Sequence, residues 1–88
     1  MLFEMIFFTR EHCHLCDDAY PHARRVSRLL GQSLDVVDIE GDDALVVEYG
    51  LRVPVLTTRS GRVIAEGPFG TREILGGLIR LRRQPPSP

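Results

Sequence analysis

Lysine is absent from this chain, and all eleven of its basic residues are arginines. Without an ε-amine, Schiff-base or amine nucleophile chemistry is left only to the amino terminus. Cysteine is nearly as scarce. Two in 88 residues exclude a scaffold of several disulfide bridges. An excess of charge of one sign is also missing: the formal net charge is −1, far from the strongly basic balance that phosphate binding demands, so nucleic acid is not an expected partner. Long apolar runs are missing as well. Residues 1–8 are apolar but contain Glu4, carry no basic flank and are too short to cross a bilayer, so they read as a buried strand rather than a signal or anchor. The expectation is a cytoplasmic protein with no membrane partner.

What is present, 43% hydrophobic and 26% charged residues, fits one soluble globular unit. A chain this short buries only about 60–65% of its unfolded surface, so one minimal core is expected. The reading places that unit over residues 1–83, with residues 84–88 as a flexible proline-rich tail, and treats the protein as a monomer.

Met5-Ile6-Phe7-Phe8 is a short continuous apolar run, as in a central strand buried on both faces. From Cys13, apolar residues recur at Cys16, Ala19/Tyr20, Ala23, Val26 and Leu30, with Asp17, Asp18, Arg24, Arg25 and Arg28 between them, which predicts an amphipathic helix closed by Gly31. Pro21 should kink it. Residues 34–39 read as a second strand, and the intervening helix makes the pair parallel. Asp42 and Asp43 can cap a short helix ending at Gly50. Residues 55–59 and 62–66 flank Ser60-Gly61 as a hairpin with a two-residue turn. Thr71 can cap a last helix bearing Ile74, Leu75, Leu78 and Ile79, in which Gly76-Gly77 must permit close approach or be compensated by packing. The order is β-α-β-α-β-β-α.

The chemistry lies in Thr9-Arg10-Glu11-His12-Cys13-His14-Leu15-Cys16. A CxxC that follows a strand and opens a helix puts two sulfurs one turn apart, close enough for a disulfide to close and reopen. Cys13 sits where free N–H groups and the positive helix end favour a thiolate. Cys16, a turn further in, should be more buried. Asp17 and Asp18 oppose the thiolate, while Arg10, His12 and His14 favour it. His22 reads as solvated, and so does the Arg24, Arg25 and Arg28 face.

These features resemble the thioredoxin superfamily, and most closely its compact glutaredoxin-like branch. The strand-CxxC-helix opening, the block Tyr49-Gly50-Leu51-Arg52-Val53-Pro54-Val55-Leu56 and the hairpin-then-helix ending carry the likeness. Pro21, five residues after Cys16, matches the kink proline of thioredoxins. The resemblance implies a thioredoxin-like α/β fold with a four-stranded mixed sheet, a cis bond before Pro54, and a Val53 backbone that meets a bound cysteinyl peptide. It also implies that Arg10 stabilises the thiolate or a substrate carboxylate.

Departures matter too. The dipeptide between the cysteines is His14-Leu15, neither Gly-Pro nor Pro-Tyr. Phe7 stands where thioredoxins bury a carboxylate. Gly67-Pro68-Phe69-Gly70-Thr71 replaces the glutaredoxin Gly-Gly and nearby Asp that hold glutathione.

The expected function is thiol–disulfide exchange, with Cys13 attacking and Cys16 resolving. The substrate is a protein or small-molecule disulfide recognised by Arg10, Leu15, Val53, Pro54 and Phe69, with His12 and His14 in support. No cofactor beyond the redox-active disulfide is expected, and glutathione use should be weak or absent. A reductase or low-molecular-weight thiol supplies electrons. The alternatives are a non-catalytic redox sensor and a metal or iron–sulfur module, since Cys13 and Cys16 with nearby histidines offer suitable ligand types.

Overall fold

The computed structural model describes residues 4–84. It contains β1 (Glu4–Thr9), α1 (His14–Leu30), β2 (Ser33–Asp38), α2 (Asp43–Tyr49), β3 (Val55–Thr58), β4 (Val63–Glu66) and α3 (Thr71–Arg83). The sheet order is β2-β1-β3-β4, with β1 and β2 parallel and the other pairs antiparallel. This is the mixed four-stranded thioredoxin-like arrangement that the family resemblance implies.

Strand β1 is central, and its side chains alternate between two apolar clusters. Met5 and Phe7 face one with Cys16, Ala19, Ala23, Val26, Leu56, Ile64 and Ile74, so α1 and α3 cover that side. Phe8 faces the other with Ile39 and Val55, closed by Leu45, Val46 and Tyr49 of α2. Burial on both faces is why the run 5–8 shows no polar alternation.

Helix α1 runs unbroken through Pro21, and Gly31 ends it in the left-handed conformation, φ 65°. There its N–H and that of Gln32 bond the carbonyls of Arg28 and Ser27. The periodicity overreaches at one end: Leu30 is exposed while Ser27 is buried, its hydroxyl satisfied by the Arg24 carbonyl at 2.8 Å. Helix α2 is capped by Asp42, whose carboxylate accepts the Leu45 N–H at 3.1 Å. Gly50 follows it in right-handed conformation. A Cβ there would lie 2.5 Å from the Val46 carbonyl oxygen, so close approach, not a left-handed φ, calls for glycine.

Two sequence expectations are corrected. The hairpin loop has three residues, not two: Thr58 donates its N–H to the Arg62 carbonyl, and Gly61 closes the loop at φ 94°. A left-handed third residue is what such a loop requires. The N-cap of α3 is Gly70 rather than Thr71, because Glu73, three residues on, accepts the Gly70 N–H at 2.7 Å. Gly77 is the close-approach glycine of α3. A Cβ there would fall 1.9 Å from the Ile64 carbonyl oxygen, whereas one on Gly76 would meet nothing. Gln84 caps the end of α3, its N–H bonded to the Arg80 carbonyl and its own carbonyl to the Arg62 guanidinium. The rest of the expected tail, residues 85–88, lies outside the described residues, as do residues 1–3 of the opening run.

Candidate redox site

The connection from β1 to α1 turns sharply at His12, a non-glycine residue in the left-handed region at φ 57°, which a histidine tolerates better than most side chains. Cys13 follows in extended conformation as the N-cap of α1. Its Sγ accepts the Cys16 N–H at 3.1 Å, and its carbonyl accepts the Asp17 N–H, also at 3.1 Å. The first turn of the helix thus closes on the first sulfur. The Cα atoms of Cys13 and Cys16 are 5.2 Å apart, and the two residues are disulfide-bonded. Cys13 is half-buried, while Cys16 is 1% exposed and belongs to the core. Such a pair can cycle between dithiol and disulfide with one accessible sulfur.

The loop before β3 forms one shoulder of the site. The Val53–Pro54 peptide bond is cis, and Pro54 is buried with its carbonyl accepting the Gly67 N–H at 2.9 Å. Val53 packs against both apolar clusters, one of which it shares with Cys13. Its N–H already bonds the Tyr49 carbonyl at 3.0 Å, so a bound peptide cannot use that donor without displacing Tyr49.

Arg52 grips Glu66 through two bonds of 3.1 Å, reaches Glu48 at 3.1 Å, and lies 5.3 Å from the Tyr49 ring centre. The hydrogen bond from Arg52 holds the Glu66 carboxyl below its usual range, and the same bond raises Arg52. Tyr49 in turn stacks on Phe8 at 4.1 Å.

Arg10 is positioned differently from the expectation. Its Nε and Nη2 bind Glu40 at 2.8 and 2.7 Å, and Nη1 donates to the Gly50 carbonyl at 3.0 Å. Acceptors from beyond β2 and from the end of α2 have drawn the guanidinium into a tie between loops, so its charge is already answered. His12 and His14 are exposed. Among the described residues neither imidazole takes part in a hydrogen bond or ion pair. Nor is any group of three His, Cys, Asp or Glu side chains placed to hold a metal ion.

The other shoulder is the connection from β4 to α3. Phe69 is 7% exposed and meets Phe7 edge-on at 6.2 Å, so it is mainly a core side chain rather than the open apolar contact the sequence implied. Together with Leu15, which is 45% exposed, it lines a cavity of about 360 Å³ whose other walls are Asp18, His22, Pro68, Gly70 and Glu73. His22 is not solvated: it is half-buried, with Nδ1 3.0 Å from the Thr71 hydroxyl. A second cavity of about 470 Å³ opens on the opposite flank of α1, between Cys16, Asp17, Tyr20, Phe7, Thr9 and Val36. His22 and Glu73 line this cavity without having been assigned to the site from sequence, and Asp18, read only as opposing the thiolate, joins them. The signal for Glu73 was its spacing from Gly70; for His22 and Asp18 it was one helical turn between them on α1.

With this geometry in hand, the comparisons are decisive for family. The model of the glutaredoxin-like domain (DUF836) matches residues 4–76. The chain belongs to that family. The X-ray structure of target protein XcR50 from X. campestris is 32% identical, with a TM-score of 0.68 over 86% of this chain and 96% of that one. More distant in sequence are thioredoxin-2, a component of the malaria parasite protein secretion machinery, and a mutant thioredoxin from Halobacterium salinarum. The first is 15% identical with a TM-score of 0.61, covering 90% of this chain and 82% of that one. The second is 20% identical with a TM-score of 0.57, covering 97% and 77%. These two share the fold. No curated protein matches the sequence. Family, thioredoxin-like fold and a CxxC pair at disulfide distance together support a redox role for this glutaredoxin-like protein.

Proposed function

We propose that the protein is a thiol–disulfide oxidoreductase in which Cys13 attacks and Cys16 resolves. The observation that carries this is the asymmetry of the pair: Cys13 is accessible and caps a helix N-terminus, while Cys16 is buried one turn behind it. The cap position favours the Cys13 thiolate through N–H groups and the positive helix end. That thiolate attacks one sulfur of a partner disulfide, and the other partner sulfur leaves as a thiolate and takes up a proton. Cys16 then gives up its proton and attacks Cys13 Sγ, expelling the second partner sulfur. The dithiol's two electrons pass to the partner, and a separate thiol or reductase must return them.

Leu15 and Val53 are the apolar contacts beside Cys13 for such a partner, with the edge of Phe69 next to Leu15. Both arginines of the Pro54 side are engaged by glutamates, so a partner's carboxylates find little free positive charge there. This favours a protein or small neutral thiol over glutathione.

The test is trapping. Cys16→Ser, incubated with a disulfide substrate, should accumulate a mixed disulfide on Cys13, and Cys13→Ser should accumulate none. Preferential alkylation of Cys16 in the reduced wild type at limiting reagent would reverse the assignment.

A further inference from the structure

The titratable side chains of the cavity beside Leu15 are two carboxylates, Asp18 and Glu73, and the imidazole of His22; among the described residues no arginine lines it. Helix α3 opens onto the same place, and a free helix N-terminus there would attract an anionic group of a substrate. The chain's own carboxylate already stands there: Glu73 Oε1 accepts the Gly70 N–H at 2.7 Å, and Pro68 has no N–H to donate. The Thr71 hydroxyl is engaged with His22 Nδ1 at 3.0 Å. A Cβ on Gly70 would be in ordinary contact with both, 3.4 Å from Glu73 Oε1 and 3.8 Å from the His22 imidazole. Backbone N–H groups also hold the Glu73 carboxyl below its usual range, first that of Gly70, so it stays charged through neutral pH.

Phe69 belongs to the apolar cluster against which Cys13 packs, and it shares this cavity with Leu15. Leu15 stands between the two cysteines and lines the cavity, so a partner joined to Cys13 reaches its mouth. We propose that Glu73 is a specificity-determining residue: by placing the chain's own carboxylate at the start of α3, it turns the wall beside Leu15 against anionic disulfides and toward cationic or neutral ones. Asp18 acts in the same direction. The inference rests on the oxidoreductase reading for its meaning in turnover, but the charge discrimination is a property of the Cys13 surroundings alone.

Two measurements separate these. In the first, reduced protein is alkylated at Cys13 with neutral iodoacetamide and anionic iodoacetate, and the rate ratio is compared between wild type and Glu73→Gln. Glutamine at this position keeps the hydrogen bond to Gly70 and removes the charge. At low salt the wild-type preference for the neutral reagent should exceed that of Glu73→Gln by roughly 1.5-fold to threefold, as expected for one exposed charge, and Asp18→Asn should move it the same way. In the second, cystamine and 3,3′-dithiodipropionate are reduced side by side, and the cation-to-anion rate ratio should fall by a similar factor in both variants. Ratios are read, so a uniform loss of activity cancels. Unchanged alkylation ratios in both variants would overturn the proposal. If alkylation discriminates as expected but neither disulfide is reduced, the oxidoreductase reading fails while the charge wall stands.

Discussion

The two shoulders of the redox site are built from similar materials to opposite effect. On the Pro54 side, Arg52 is shared between Glu48 and Glu66 and lies over Tyr49, and Arg10 is tied to Glu40, so each positive charge has an adjacent negative one. On the α3 side, the carboxylate of Glu73 is answered first by backbone N–H groups and only weakly by Arg72 and His22, and Asp18 lines the same cavity. The first arrangement leaves no arginine unpaired, with one glutamate in excess among three, and relies chiefly on shape and apolar contact for recognition. The second keeps a net negative charge at the lip of a cavity. A disulfide partner that touches both thus meets an indifferent shoulder and a selective one.

The most forceful way to break this contrast is to displace the α3 shoulder. Gly77→Ala puts a methyl where the Ile64 carbonyl lies, and because backbone cannot rotate away, a loss of about 3 kcal/mol in urea unfolding is expected, the upper end for overpacking. A loss below about 1 kcal/mol would mean that α3 is not tightly seated on β4.

Next in size is Arg52→Ala, which leaves Glu48 and Glu66 facing one another and uncovers Tyr49. It should cost about 1 kcal/mol, since the pair is partly exposed, and should make the Pro54 shoulder as negative as its counterpart. Cystamine reduction should then rise relative to 3,3′-dithiodipropionate, and an unchanged ratio would show that this shoulder does not face the partner. Gly76→Ala, one residue from the first change, meets open space and should instead add about 0.5–1 kcal/mol, measured in the same denaturation series.

The smallest effect is a pH dependence. Because the folded Glu66 carboxyl titrates below its ordinary value near 4.5, its contribution is fully present above that value and is lost as pH falls through the lower folded value. With 43% of the side chain exposed, the contribution is under about 1 kcal/mol. Glu66→Gln should therefore have a shallower decline in stability below pH 4.5 than wild type, and parallel curves would remove Glu66 from the acid response.

Much of the site was legible because its determinants are local. The apolar run 5–8, the cysteine spacing and Gly31 each act within a few residues, and they locate β1, the CxxC turn and the end of α1 to within a residue or two. What escaped reading depends on partners far along the chain. Arg10 finds Glu40 at a separation of 30, Arg52 finds Glu66 at 14, and His22 finds Thr71 at 49. No spacing rule anticipates such meetings, so Arg10 read as a free cation and His22 as a solvated side chain. The α3 cap was hidden for a different reason. Glycine at the cap position lacks the hydroxyl that normally marks a capping box, which left Thr71 as the apparent choice.

The hydrogen bond from the Cys16 N–H to Cys13 Sγ makes the first sulfur part of the backbone of α1 as well as of its chemistry. A thiolate accepts such a bond more strongly than a disulfide sulfur does, because the charge is on the acceptor. The start of the helix is thus a reporter of oxidation state that needs no added probe. Amide hydrogen exchange at Cys16 should slow when the pair is reduced at a pH where Cys13 is ionised, and should speed up again when alkylation removes the charge.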